Sequence, residues 1–300
     1  MDAIVTLSGL THDYGNHVAL DGLDVAVPSG VTGLVGANGA GKTTMLRILL
    51  GLLHPTAGSV TVLGHDAIAD PLSVRAQVGY MPEGASLPND QTAADFVAFT
   101  AQLAGLPAGD ARRRASETLF LVGLEEERFR FLGDFSTGMA QRVKLAQAIV
   151  HGPKLILLDE PASGLDPDGR VQMLELIRRL GSFGINVIVS SHVLSDIEST
   201  CGFVVMLDAG RLVRSGPVAG AHATSTVSVE ILGPIDRFTS ALATAGVEWT
   251  GDRQTVSVSA ETDDVFDVIR DAAASSQVGI LRLERRALTL EDEFLGRTDV

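Results

Sequence analysis

The chain opens on alternation of apolar and polar positions. Ile4 to Leu10 and Val18 to Val27 have strand character and are separated by the turn-prone His12-Asp13-Tyr14-Gly15-Asn16. They predict an N-terminal β region. Val31 to Val35 is apolar throughout and predicts a buried strand, after which Thr43 to Leu53 sets Met45, Leu46, Leu49, Leu50 and Leu53 at helical spacing. His54-Pro55-Thr56-Ala57-Gly58 breaks that helix, and Ser59 to Leu63 returns to alternation as a further β-region strand. Val78 to Glu83 predicts a short buried strand ending at Pro82. From about 84 to 150 the pattern turns helical, with Phe96, Val97, Phe99 and Leu103 expected on one apolar face and a loop at Gly105-Leu106-Pro107. Lys154 to Glu160 predicts a central parallel strand and Val187 to His192 the next buried strand, with a helix over Val171 to Leu180 between them. Beyond about 224 the pattern changes again. Thr226 to Ile231, Thr255 to Ser259 and Gly279 to Leu283 alternate, while Ile235 to Ala245 and Val265 to Ala273 are amphipathic. With a short strand at Val247 to Thr250, that order predicts a small β-α-β-β-α-β domain.

Chemistry concentrates at the loops between these elements. Gly36-Ala37-Asn38-Gly39-Ala40-Gly41-Lys42-Thr43 has the spacing G-x-x-x-x-G-K-[ST] and is followed by Thr44; it joins a predicted strand to a predicted helix N-terminus. Glycines there let successive N–H groups turn inward, and the helix dipole adds partial positive charge where phosphate oxygens would lie. Lys42 would reach the terminal phosphates and the Thr43 hydroxyl would ligate magnesium. Asp159 and Glu160 end an apolar run at the sheet edge where open α/β folds bind ligands. Asp159 would hold magnesium through water, and Glu160 would face the attacking water. His192 ends the next predicted strand on the same edge. Ser136 and Gly138 precede another helical stretch, where a serine cap and an anion site are both open readings. Tyr14 could stack on a purine ring or serve packing alone.

Composition narrows the partners. The 300 residues are 45% hydrophobic, enough for two ordinary domains with proper cores. A net charge of −14 and the absence of a basic stripe argue against a nucleic-acid surface. Lysine occurs only at Lys42, Lys144 and Lys154, which makes Lys42 conspicuous. Cys201 is the sole cysteine, so no internal disulfide forms, and a small buried hydrophobe is the expected role. The first residues lack the pattern of a secretion signal. No apolar run approaches the ~20 residues that cross a bilayer, so any membrane role runs through a partner.

Together these residues resemble the nucleotide-binding subunit of ATP-binding cassette (ABC) transporters, from about Ile4 to Gly216. Tyr14 matches the adenine-stacking aromatic, Gly36 to Thr43 the phosphate loop, and Val78 to Glu83 the segment that contacts the membrane partner. Phe135 to Met139 resembles the signature sequence, Asp159 and Glu160 the metal and catalytic acids, Ser163 to Asp166 the dimer loop, and His192 the switch histidine. The resemblance implies a P-loop NTPase ABC ATPase core (1–218) with an N-terminal antiparallel β region and a helical subdomain (about 84–150). A small C-terminal α+β domain (224–300) follows. It also implies ATP and Mg2+ as cofactors, a homodimer that sandwiches ATP between the phosphate loop of one copy and Ser136 and Gly138 of the other, and placement at the cytoplasmic face of the cell membrane through a membrane subunit.

Two positions depart from the commonest pattern. Glu83 stands where glutamine is usual, and the signature reads FSTGM rather than LSGGQ. Both resemble the ABC-2 type exporter branch associated with drug and antibiotic resistance, whose permease is a separate chain. That branch often carries an extra C-terminal domain, and the stretch Thr289 to Leu295 resembles its ending. Glu83 is expected near the metal, as a lever to the membrane partner. A soluble cassette ATPase of translation or DNA repair would carry a second phosphate loop or a long insert, and neither is present. An importer ATPase is separated chiefly by the signature variant and the ending. A non-catalytic subunit is disfavoured by the intact Lys42, Asp159, Glu160 and His192.

Overall fold

A computed structural model describes residues 3–84, 86–218, 225–251, 255–260 and 264–287. The chain divides into two compact units, 1–217 and 218–300. In the first, β1 (Ala3–Asp13) and β2 (Val18–Pro28) form an antiparallel hairpin with Tyr14 in its connecting turn. Alternate side chains along both strands, among them Val5, Leu7, Leu23, Val25 and Val27, are buried. β3 (Val31–Val35) leads through the glycine loop into α1 (Lys42–Leu49), which stops short of Leu53 where Gly51 turns the chain in the left-handed region at φ 62°. β4 (Ala57–Val62) returns to pair with β1, followed by the short β5 (His65–Asp66), α2 (Pro71–Arg75) and β6 (Val78–Met81). The helical insert holds α3 (Ala93–Leu103), α4 (Ala108–Leu121) and α5 (Thr137–Ile149). Two 3-10 turns, Glu127–Phe129 and Leu132–Asp134, link α4 to α5. Next come β7 (Leu155–Leu158), α6 (Pro167–Ser182), β8 (Asn186–Ser191), α7 (Leu194–Thr200), β9 (Phe203–Asp208) and β10 (Arg211–Pro217).

Two sheets result. One is antiparallel in the order β2-β1-β4-β5, and the other runs β10-β9-β3-β8-β7-β6, parallel except for β10. The core between them gathers Leu7, Leu20, Leu34, Met45, Leu46, Leu49 and Leu157, so α1 is gripped by both sheets. β3, β8 and β7 are neighbours, and the candidate chemistry leaves their C-terminal ends along a single edge.

One expectation is overturned on α3. Val97 is buried as expected, but Phe96 is only half-buried and Phe99 and Leu103 are exposed; the rest of the buried face is Ala93, Ala98 and Ala101. Small side chains at this spacing let α3 lie close to its neighbours, while the bulky apolar residues stay outside. The periodicity of Phe and Leu marks a surface, not the core.

The second unit contains β11 (Ser225–Leu232), α8 (Ile235–Thr244), β12 (Trp249–Gly251), β13 (Thr255–Ala260), α9 (Asp264–Ser276) and β14 (Gly279–Ala287). Its sheet is antiparallel in the order β12-β13-β11-β14. Val227, Val229, Ile231, Val256 and Val258 bury one sheet face beneath Phe238, Leu242, Val265 and Ile269. The element order follows the alternation in the sequence. Residues 289–295, whose resemblance was noted, lie outside the described residues.

Cys201 follows α7 and is buried. Burial, with the Asp196 charge as a smaller cause, pushes its thiol up to about 12. Only the thiolate attacks an alkylating agent. At about pH 8, iodoacetamide should therefore leave Cys201 unmodified in the native chain by mass spectrometry and label it fully in urea. Rapid labelling of the native chain would contradict this packing.

Candidate functional site

The phosphate-loop glycines are imposed by the fold. Gly41 has φ 103°, and a Cβ there would meet the Ala19 carbonyl oxygen at 2.5 Å; a Cβ on Gly36 would lie 2.4 Å from the Leu207 carbonyl oxygen. Lys42 begins α1 and is 6% exposed. Its ammonium donates to the Gly36 carbonyl at 2.7 Å and the Ala37 carbonyl at 3.4 Å, and lies 3.2 Å from Glu160 Oε1. One residue on, the Thr43 hydroxyl donates to Asp159 Oδ2 at 2.8 Å.

The two carboxylates follow β7 and point to different partners. Asp159 takes a second hydrogen bond at Oδ1 from Ser190 Oγ at 2.8 Å, while its neighbour's N–H donates to the same Ser190 Oγ at 2.9 Å. Glu160 has φ 48°, a left-handed backbone that costs a non-glycine residue on the order of 1–2 kcal/mol. That conformation is held on every side. The Glu160 carbonyl accepts from Ser163 N–H at 3.1 Å, and its carboxylate stands between Lys42 and His192 Nδ1, the latter at 3.0 Å. The turn swings Glu160 away from Asp159 and toward the lysine.

Ser190 was not singled out from the sequence. Its signal was available in the strand pairing: β7 and β8 are parallel with Leu158 opposite Val189, so the next positions are Asp159 and Ser190. Arg170 and Asp196 were also missed. They form a two-pronged ion pair, with contacts of 2.7 to 3.0 Å, that ties α6 to α7 beside Glu160 and His192. Nothing in their sequence separation announces it.

Tyr14, Ala37, Asn38, Gly39, Lys42, Thr43, Thr44, Glu83 and Glu160 line one cleft of about 350 Å³. Ala40 is buried behind it. Tyr14 is half-exposed, with its hydroxyl 3.4 Å from Thr44 Oγ1 and its ring edge-on to His12 at 4.5 Å. Glu83 is exposed at the rim. Tyr80, on β6 just before it, has its phenol held above the usual range by burial first, then by the charges of Asp159 and Glu83. Ser136 and Gly138 are elsewhere: they line a second cavity of about 460 Å³ together with Gly164 to Asp166, and share no residue with the first. Ser136 Oγ accepts from Met139 N–H at 3.3 Å as the N-cap of α5.

Chemically, the first cleft supplies backbone N–H groups and one ammonium for phosphate oxygens. Beside them stand oxygen donors for a hard cation and a carboxylate–imidazole pair suited to an attacking water. The donor set fits magnesium, which keeps waters and substrate phosphates and so needs few protein ligands. Thr43 Oγ1 and Asp159 are the adjacent oxygens available to it.

The family described as ABC transporter matches residues 20–163. Daunorubicin resistance ATP-binding protein DrrA3 of Streptomyces coeruleorubidus is 31% identical over 306 residues, covering 99% of this chain and 96% of its own. Methionine import ATP-binding protein MetN of Caulobacter vibrioides is 38% identical over 214 residues, covering 69% of this chain and 64% of its own. A dimeric post-hydrolysis structure of the ATP-binding cassette MJ0796 bound to ADP and Pi superposes with a TM-score of 0.65 at 25% identity. It covers 72% of this chain and 99% of that one. The fold, the cleft and the full-length similarity to DrrA3 lead to one identification: this chain belongs to the ABC transporter family, as an ATP-binding subunit that hydrolyses ATP.

Proposed function

We propose that this chain powers an exporter whose membrane-spanning part is a separate chain, and that two copies close around ATP to hydrolyse it. The observation that carries the two-copy reading is the separation of the cavities. Ser136 and Gly138 line a cavity that shares no residue with the one lined by Lys42 and Glu160. Gly138 adds to it, because a Cβ there would meet nothing closer than Leu165 Cδ2 at 3.9 Å. Its own fold does not require a glycine at that place. A nucleotide held by a second copy would.

Within the site, Lys42 and the loop N–H groups would bind the β- and γ-phosphates, and Tyr14 would take the adenine face. Thr43 and Asp159 would hold magnesium, which when bound neutralises phosphate charge. Glu160 would orient the water and accept its proton, with His192 fixing the carboxylate and reading the terminal phosphate. Such catalysis is mostly positioning and electrostatics. Glu83, exposed at the rim, suits a lever to the membrane subunit better than a chemical group.

Support for a membrane partner comes from the insert. Phe99, Leu103, Phe129 and Phe131 are all more than half exposed, and Phe131 bridges to Thr92 at the start of α3. No helix among the described residues is long and apolar enough to cross a membrane. Docking through the insert would set the chain at the cytoplasmic face. The exporter branch is favoured because similarity to DrrA3, a resistance protein, continues through the second unit.

If two copies build each site, specific ATPase activity should rise with protein concentration and require magnesium. A flat specific activity across a dilution series that takes the protein to monomer would sink the sandwich. Glu160→Gln should lower turnover by ~10²–10⁴ while ATP stays bound. Lys42→Ala should instead lose ATP binding itself, as read by equilibrium dialysis. Wild-type turnover in the first variant, or wild-type affinity in the second, would refute these roles.

A further inference from the structure

His12 occupies a core position of β1. The strand turns Leu10 and His12 inward, and His12 is 7% exposed, opposite the buried Leu20 of β2. Leu20 lies against the phosphate loop, where its Cδ2 would stand 2.6 Å from a Cβ on Gly41. Yet neither ring nitrogen of His12 has a hydrogen-bond partner among the described residues. A buried donor left unpaired is costly, and a leucine would fill the same place without that cost. Packing alone does not explain a histidine here.

Its ring contact does. The rings of His12 and Tyr14 meet edge to face, with centroids 4.5 Å apart and planes at 84°, an arrangement that aromatic pairs favour. The His12 side of this contact is fixed by the backbone. The Thr11 carbonyl accepts from Thr56 N–H at 2.8 Å, and the Asp13 N–H donates to Thr56 Oγ1 at 2.9 Å, so one threonine pins the chain on both sides of His12. The Tyr14 side is looser. That ring is half-exposed, and its hydroxyl meets Thr44 Oγ1 at 3.4 Å, longer than an ordinary O–H···O bond. Tyr14 lines the ATP cleft and His12 does not, so an effect of His12 on a nucleotide runs through the Tyr14 ring.

Resting on the reading of Tyr14 as the residue that takes the adenine face, we propose that His12 is the positioning residue for that ring. The edge-to-face contact sets Tyr14 in its stacking orientation before the nucleotide arrives, so binding does not have to order the ring. Without it, Tyr14 would hold that orientation only part of the time, and affinity would fall by the same fraction.

ADP and inorganic pyrophosphate, each titrated with magnesium into the full chain by calorimetry, separate contacts to the base from contacts to phosphate. His12→Leu keeps an apolar side chain in the core and removes the ring. It should raise the Kd for ADP by about three- to tenfold and leave that for pyrophosphate within about twofold. His12→Phe retains a ring and should bind ADP like the wild type. Tyr14→Ala should itself weaken ADP, and adding His12→Leu to it should change nothing further. Wild-type ADP affinity in His12→Leu, with Tyr14→Ala weakened, overturns the positioning role and leaves the Tyr14 reading standing. An equal loss of pyrophosphate affinity also overturns it, since it marks a distorted phosphate loop. So does a His12→Phe variant as weak as His12→Leu, or a further loss on the Tyr14→Ala background. Wild-type ADP affinity in Tyr14→Ala overturns both readings.

Discussion

The ion pair between Lys42 and Glu160, at 3.2 Å and almost entirely out of solvent, is the constraint on which the rest of the first unit converges. Burying a charge is tolerable only when it is paired and hydrogen-bonded. The fold meets both conditions by bringing the start of α1 and the end of β7 to the same sheet edge. The Gly36 carbonyl accepts from the lysine and His192 meets the glutamate at Oε2, while the buried Oε1 has the ion pair but no hydrogen-bond partner. Removing either charge would leave the other unpaired, so sequence change here is costly for folding as well as for chemistry.

The strained backbone of Glu160 follows from the same demand. Had the chain continued in strand geometry past Leu158, successive side chains would have alternated across the sheet and Glu160 would have pointed away from the phosphate loop. The left-handed turn redirects it, and Ser190 holds that turn by bridging its N–H to Asp159. One serine thereby fixes two carboxylates with different partners. Arg170 and Asp196 extend the frame outward, so α6 and α7 are tied together.

Much of this was legible in the sequence because it rests on local signals. The glycine loop, the apolar strands and their terminal acids announce themselves by spacing, and the β-α-β-β-α-β order of the second unit follows from its alternation. What was not legible depends on contacts between distant segments. Ser190 matters only through strand register, and the Arg170–Asp196 pair only through helix placement. The α3 face was misread because periodicity counts large apolar residues. The packing there selected alanines, and Phe99 and Leu103 remain on the surface. An exposed apolar stripe and a buried one look alike until the neighbours are known.

The most direct test of this account is a double-mutant cycle on Lys42 and Glu160, read by urea unfolding in buffer without nucleotide. Unfolding free energies would be compared for the wild-type chain, Lys42→Ala, Glu160→Gln and the double variant. The account predicts a coupling on the order of 1–3 kcal/mol, each single change costing nearly as much as both together. Additivity within about 0.3 kcal/mol would show that the two charges do not depend on each other, and would contradict it.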